Sequence, residues 1–522
     1  MSRRIGIAAA IWGGSILLSR VIGIVREAVL GRILGGGAEA DLYFLAFTLP
    51  DFLNYLLAGG ALSIVFIPIF AGYLARQDEQ GAWRSLAVIG NAVFLGAVLL
   101  GGAMWLTMPW LARLIGPGLD AESSAELVAL TRVMLPAQLF HLLGGLLSAA
   151  LQARDRHTLP ALAPLVYTLG IIVGGLLGGQ EAGAWGFAWG VLAGSVLGPF
   201  LLPLIGCLRA GMRWRLILSP RDADLRTWLW RSLPIMVAFS IMVADDMILR
   251  RQASLIGDGA VATLEYAKKL MKVPMGVFGL AAGVAAYPTL SRLVGEGDRA
   301  GAYRTLAMAV KRMLILAFGA QVTLTVAGPE ISRVIYGSRI DPSQHEAIGL
   351  AIGIFCLALW AWAAQTLLSR GFYALGKTWL PSLLGTGTVL LAFPGYVLLG
   401  QQAGTPGLAA ASSIAVSLYV AILALLLRRE YAYEPDGFGT FALRALPAVL
   451  LATALGLGLR ALLPDAPLGS SEVGDALLRG ALSGSAGLLA YVGLALALRV
   501  PEAGAVSELV LGRLRRLRRR RA

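Results

Sequence analysis

Arginine and lysine stand in this chain where a membrane interior tolerates charge poorly. Arg20 and Arg26 fall inside an apolar run from Ile5 to Leu34, and Lys268, Lys269 and Lys272 inside another from Val261 to Leu293. A cation at bilayer depth persists only where it faces a cavity or a partner, so it marks the path of something anionic. Six residues separate Arg20 from Arg26, about 120° around an ideal helix. Both reach one cavity only if it is wide, if the side chains converge, or if Gly23 lets the helix bend; otherwise one of them snorkels to an interface. Lys268 and Lys272 share a helix face, with Lys269 about 100° away. Asp245 and Asp246 form the only adjacent acid pair within a span. Their oxygens suit a hard cation, and equally an ion pair with Arg250 on the same face.

One further string matches a chemical motif by letter. Gly371-(x)4-Gly376-Lys377-Thr378 fits the phosphate-loop pattern GxxxxGK(S/T). That chemistry needs a buried strand before it and a helix after it in a soluble α/β unit. Here an apolar helix precedes and Trp379-Leu380-Pro381 follows. The segment therefore reads as a short turn between two spans, with no nucleotide.

The elements that must hold these residues are membrane helices. Of 522 residues 57% are hydrophobic and 14% charged, 65 are glycine, and the mean hydropathy is +0.74. No ordinary soluble domain matches that composition. Cys207 and Cys356 are far apart in apolar stretches, and His141, His157 and His345 form no ligand spacing, so neither a disulfide framework nor a metal site is expected. The basic start, Arg3 and Arg4, precedes an apolar run that no small-residue cleavage site ends. It reads as an uncleaved first helix. Apolar runs near 20 residues, enough to cross a ~30 Å core, fall at 5–34, 41–75, 86–109, 126–151, 159–178, 184–208, 228–254, 261–292, 303–327, 346–370, 378–399, 406–427, 441–463 and 477–499. The fold class is an all-α polytopic membrane protein of about fourteen helices. Glycine pairs such as Gly174-Gly175 and Gly178-Gly179 read as close helix packing.

Charge orients the spans. The termini and every second loop carry 29 Lys and Arg against 8 in the opposite set, so both termini are expected in the cytoplasm. Seven of the 29 are the arginines of Arg513 to Arg521. Beside a last helix such a tail suits anionic headgroups, and the formal net charge of +14 needs no nucleic acid.

An internal repeat is also readable. Pro68-(x)12-Gly81-Ala82-Trp83-Arg84-Ser85-Leu86 recurs as Pro288-(x)12-Gly301-Ala302-Tyr303-Arg304-Thr305-Leu306, and Gly37-Ala38-x-Ala40-x-Leu42-x-Phe44 as Gly259-Ala260-x-Ala262-x-Leu264-x-Tyr266. Six helices separate the copies, an even number, so the halves are parallel about an axis along the membrane normal. The expected organisation is one six-helix half at 1–220, a second at 221–428, and two extra helices with a basic tail at 429–522.

Three segments carry a family resemblance. Ser19-Arg20-Val21-Ile22-Gly23-Ile24-Val25-Arg26-Glu27, Asp41-Leu42-Tyr43-Phe44-Leu45-Ala46-Phe47-x-Leu49-Pro50 and Gly60-Ala61-x-Ser63-x-x-Phe66-x-Pro68-Ile69 resemble the opening of the MurJ/MviN lipid II flippases. That family sits in the superfamily of multidrug exporters and polysaccharide flippases. Tyr266-Ala267-x-Lys269-Leu270-Met271-x-x-Pro274-x-Gly276-Val277-Phe278-Gly279, Pro288-x-Leu290-Ser291 and Phe372-Tyr373-Ala374-Leu375 extend the resemblance along the chain.

The resemblance implies transport of undecaprenyl-pyrophosphate-linked disaccharide-pentapeptide from the cytoplasmic to the outer leaflet of the bacterial inner membrane, in peptidoglycan synthesis. It maps cavity arginines onto Arg20 and Arg26, an acid onto Asp41, and an eighth-helix cation, usually Arg, onto Lys269. A sodium site touching the seventh and eleventh helices would fall at Asp245, Asp246, Thr386 and Thr388. Coupling would then run through Na+, H+ or the membrane potential, with no cofactor, in a monomer. Two departures stand out: Asn54 replaces a second-helix Arg, and Gly59 an acid. Lys269 offers a point charge where Arg offers a fork. A flippase for another polyprenyl-linked glycan therefore stays open. A drug/ion antiporter is a nearer rival than a Mg²⁺ enzyme held by Asp245 and Asp246. The cations, however, should repel cationic drugs, and no DDxxD pattern supports the enzyme.

The charge asymmetry yields a first prediction. A cysteine placed between residues 464 and 475 should react with an impermeant reagent added outside, and one placed in the C-terminal tail should not. The reverse pattern would invert the topology.

Overall fold

The computed structural model describes residues 2–58, 61–237, 241–431, 436–464, 469 and 471–504. The tail Arg513 to Arg521 and Gly59 lie outside the described residues. Every element described is helical: α1 Ser2–Leu34, α2 Ala38–Ala46, α3 Thr48–Ala58, α4 Ala61–Ala75, α5 Glu79–Ile115, α6 Ala121–Met134, α7 Ala137–Ala153 and α8 Thr158–Ser195. A π-helical turn, Val196–Leu201, leads into α9 Leu202–Arg209, then α10 Ala223–Val237, α11 Ile241–Ala253 and α12 Ala260–Gly295. The remainder is α13 Arg299–Val326, α14 Gly328–Tyr336, α15 Pro342–Cys356, α16 Leu359–Ala374, α17 Leu380–Glu430, α18 Phe438–Leu462 and α19 Glu472–Ala497.

These helices carry an all-α polytopic membrane fold, and their sequence is consistent with fourteen crossings. Seven described helical stretches pass as membrane spans on length and hydropathy, and α15 with α16 passes as a pair bent by 44°. Two of the seven hold two crossings each, because glycines turn the chain inside them. Gly179 and Gly183 in α8, and Gly404 in α17, leave the helical region with positive φ. Elsewhere the second expected span is broken into α2, α3 and α4, and Pro50 sits in the first turn of α3, where a missing N–H costs least. Leu135-Pro136 parts α6 from α7.

The chain forms two compact units, Met1–Ala262 and Thr263–Ala522. The boundary falls inside α12, beyond the residue 220 expected from the repeat, because α10 and α11 pack on α3 and α5 of the first unit. Division by contact and division by repeat are different quantities here.

In the first unit the two arms of α8 meet along glycine. A Cβ on Gly170 would lie 2.5 Å from the Gly194 Cα, on Gly174 2.5 Å from the Gly190 Cα, and on Gly178 2.9 Å from the Gly186 Cα. No side chain fits, so the backbones touch, as small residues allow in lipid. The second arm starts on a carboxylate: Glu39 accepts the Ala184 N–H at 2.9 Å.

The repeat is visible in the local geometry of each unit. Asp78 accepts the Gly81 N–H at 2.8 Å and Asp298 the Gly301 N–H at 2.7 Å, capping α5 and α13. Residues Gln77 and Gly297 just before the caps are both left-handed. Before α10 in the first unit and before α18 in the second stands another acid. Asp222 accepts from the Asp224 N–H and Arg84, and Asp436 from the Phe438 N–H and Tyr303.

The two extra helices are tied down at both ends within the second unit. Arg460 of α18 reaches Glu330 at 2.7 Å and Glu346 at 3.0 Å. At the other end Arg428 pairs with Asp436 at 3.2 Å and Lys311 with Glu502 at 2.9 Å.

Two predictions follow from this packing. Gly174→Leu forces the α8 arms apart and costs about 1–3 kcal/mol or more, read as a lower unfolding midpoint in detergent; an unchanged midpoint would mean the arms do not touch. Burial alone would raise the Asp436 carboxyl, but the Tyr303 hydroxyl, the Phe438 N–H and Arg428 hold it below the usual carboxylate range. Its stabilisation is present above the unfolded pKa of about 3.9 and lost as pH falls through the lower folded value. Asp436→Asn should thus lower the midpoint at neutral pH, with the gap to the parent closing in strong acid.

Candidate functional site

The first unit presents cations from α1. Arg20 is exposed, together with Leu18, Val21, Ile24 and Val25. Arg26 is half-buried, and its Nε donates to Glu27 Oε1 at 3.0 Å while Nη2 bonds the same oxygen. The phenols of Tyr43 and Tyr167 lie within electrostatic range of the Arg26 guanidinium. Tyr43 is fixed by rings on three sides, with centroids at 5.6 Å to Phe44, 5.2 Å to Phe47 and 5.5 Å to Phe187. The two arginines therefore differ: Arg20 keeps an exposed charge, and Arg26 holds its charge beside an acid, with one side fixed. Glu27 was passed over by the sequence reading although it stands next to Arg26 in the motif.

Asp41 is buried, 4% exposed, and both of its oxygens are engaged. Oδ2 accepts the Gly259 N–H at 2.7 Å and Oδ1 the Ala262 N–H at 2.6 Å. This is an N-cap supplied by a distant part of the chain, with a carboxylate at the positive end of α12. Asp41 thereby sets the start of the helix that carries the lysines. Lys269 follows Ala260 by nine residues, about 13.5 Å along the helix axis.

The second unit presents those lysines unequally. Lys268 is buried at 2% exposure with its ammonium 5.5 Å from the Trp362 ring centroid, a cation–π contact. Lys269 and Lys272 are half-buried. A cation that can meet a ligand from this helix is thus Lys269 or Lys272, and Lys268 is given over to packing.

The remaining candidates divide between the units. Asn54 is half-buried on α3, three residues beyond Asp51. Asp51 takes an ion pair from Arg250 of α11 at 3.1 Å, a partnership between residues 199 apart that spacing does not reveal. Asp245 is buried at 1% exposure, and Asp246 is intermediate. On α17, Thr386 donates to the Ser382 carbonyl at 3.1 Å and Thr388 to the Leu384 carbonyl at 2.7 Å. Among the described residues no three His, Cys, Asp or Glu side chains cluster as a metal site.

The phosphate-loop match dissolves in the structure. Gly371 lies inside α16, packed on Leu306 and Leu427, and its carbonyl accepts from Tyr431 at 2.7 Å. Lys377 pairs with Glu430. No strand precedes it among the described residues, so no cradle of N–H groups forms.

In the first unit Arg26 holds its charge beside Glu27, and in the second Lys269 is half-buried on α12. Comparison with known proteins places the chain in a family. The family model described as lipid II flippase MurJ matches residues 30–468. A probable lipid II flippase MurJ of Rhizobium tropici is 28% identical over 80% of both chains. The lipid II flippase MurJ of Burkholderia cenocepacia is 25% identical over 85% of this chain and 87% of its own. A solved structure of lipid II flippase MurJ in an inward closed conformation superposes with a TM-score of 0.75 at 20% identity, covering 94% of this chain and 99% of that one. An inward-facing multidrug resistance MATE family transporter of the MOP superfamily shares the fold at a TM-score of 0.66 and 15% identity, over 81% and 98%. Sequence match and fold agree along nearly the whole length: the chain belongs to the lipid II flippase MurJ family of multi-pass membrane proteins.

Proposed function

We propose that this protein carries lipid II, the undecaprenyl-pyrophosphate-linked peptidoglycan precursor, from the cytoplasmic to the outer leaflet of the bacterial inner membrane. The observation that supports the reading is the presence of Arg20 and Arg26 on α1 and Lys269 on α12 in a chain of this family. A pyrophosphate cannot enter hydrocarbon with its water removed unless fixed cations replace that water. Arg20 and Arg26 offer planar forks from α1, and Lys269 a point charge from α12. The protein acts as a transporter and makes or breaks no bond of the lipid. Access alternates between the two sides as the parallel halves rock, in a monomer with both termini in the cytoplasm. Coupling runs through Na+, H+ or the membrane potential, with Asp245 and Asp246 of the first unit as candidate carboxylates and Thr386 and Thr388 of the second as candidate hydroxyls. Asp41 acts through α12, whose position decides where Lys269 stands.

The test is rescue of a bacterium depleted of its own flippase, with protein levels checked by blotting and the copurifying lipid identified by mass spectrometry. Arg20→Ala and Arg26→Ala should each abolish rescue at normal protein level, since each removes a charge-assisted contact worth about 1.5–3 kcal/mol. Lys269→Arg should keep activity and Lys269→Ala lose it, while Asn54→Arg should be tolerated and Lys377→Ala silent. Full rescue by the Arg20→Ala/Arg26→Ala double variant would make those residues structural and remove the chief support for an anionic substrate.

A further inference from the structure

The segment joining α9 to α10 is an extended strap of unusual composition. Residues 213–221 read Arg-Trp-Arg-Leu-Ile-Leu-Ser-Pro-Arg, with no acid. Leu216 is 90% exposed and Leu218 64%, and Arg213, Arg215 and Arg221 are exposed beside them. Two leucines left uncovered by protein next to three arginines are a costly surface unless something else covers them.

The strap is pinned rather than loose. The buried Asn91 side chain of α5 donates from Nδ2 to the carbonyls of Arg215 at 2.8 Å and Ile217 at 3.2 Å. Its Oδ1 accepts from Trp214 Nε1 at 3.1 Å. Gly90 leaves room for the Trp214 ring, since a Cβ there would lie 2.6 Å from it. Beyond the strap, Asp222 is locked to Arg84 at 2.6 Å, and Asp224 takes a hydrogen bond from Tyr73 at 2.8 Å. The acids nearest the strap are thus already engaged, and its arginines are not.

The helix that pins the strap also fixes its depth. Exposed apolar side chains run along α5 through Phe94, Leu95, Val98, Leu99, Trp105, Leu106, Trp110 and Leu114. From Phe94 to Leu114 is about 30 Å at 1.5 Å per residue, one hydrocarbon thickness. Below Phe94 the character changes, and Leu86 to Asn91 are buried by protein. Asn91 therefore lies within one turn of the hydrocarbon edge, and the strap it holds runs at headgroup level. There, leucines dip into the acyl boundary while arginines meet phosphates.

We propose that residues 213–221 form a docking strap for anionic phospholipid headgroups of the cytoplasmic leaflet, separate from the transport site. The proposal rests on the cytoplasmic placement of this loop and is independent of which lipid is transported. Anionic headgroups are favoured over a protein partner because the charge is of one sign, the exposed apolar side chains are few, and the depth matches the leaflet surface.

The experiment uses the full chain, with Cys207→Ala and Cys356→Ala, carrying a nitroxide on Leu216→Cys in nanodiscs. Discs of phosphatidylcholine alone are compared with discs of equal parts phosphatidylcholine and phosphatidylglycerol. The nitroxide should gain oxygen accessibility and lose accessibility to a water-soluble nickel chelate in the anionic discs. Adding Arg213→Gln, Arg215→Gln and Arg221→Gln should abolish that difference, with an unchanged gel-filtration profile showing the fold intact. Should charge neutralisation disturb the fold, raising salt on the parent chain should return the label to water. A label in water in both discs, or equally deep in both, overturns the proposal. Loss of the lipid response with rescue activity retained would leave the flippase reading standing.

Discussion

A peptide N–H has no water to turn to in hydrocarbon, and every interruption of a helix there exposes several. This chain meets that constraint with carboxylates. Glu39 takes the Ala184 N–H where α8 restarts, and Asp41 takes two N–H groups at the start of α12. At the membrane surface, where water is within reach, Asp78 and Asp298 cap α5 and α13 in the same way, and Asp222 and Asp436 stand before α10 and α18. With only 30 acids in 522 residues, this use of six decides much of their distribution. The charges at bilayer depth are therefore not all there for a ligand. Some make the broken helices possible, and the helix that carries the lysines, α12, starts on such a carboxylate.

Each of the two compact units uses this solution with its own partners. Arg84 binds Asp222 in the first unit, whereas Tyr303 and Arg428 bind Asp436 in the second. The acid and its bond to the second residue beyond it are kept, and the partner changes. An acid before α10 and another before α18 make those two helices begin alike.

Much of the fold was legible because hydropathy and helix length are local properties. Fourteen apolar runs, the cations within them and the glycine pairs of α8 could be read directly, and the GxxxxGK(S/T) match could be refused for want of a strand. Partners distant in sequence could not. Asp51 with Arg250 and Asp41 with Gly259 join residues about 200 positions apart, and no periodicity encodes such pairs. The acid Asp41, assigned to the substrate by resemblance alone, has both oxygens committed to a helix start. Among the three lysines, spacing separated Lys269 from Lys268 and Lys272, but only Trp362 shows which one is given over to packing.

The seam inside α8 has a consequence for how such a chain can vary. Gly170, Gly174, Gly178, Gly186 and Gly190 each leave less than 3 Å between a would-be Cβ and a backbone atom of the opposite arm. A single base change that replaces glycine installs a side chain with a Cβ, even when it yields alanine. There is no smaller residue to pass through and no conservative neighbour in the genetic code. Compensation cannot come from trimming the facing residue either, because that residue is itself glycine. The hairpin is thus a place where drift has almost no room, while the lipid-facing leucines of α18 and α19 can exchange freely among apolar types. The rate at which different stretches of this protein diverge should be set by which surfaces meet backbone and which meet acyl chains.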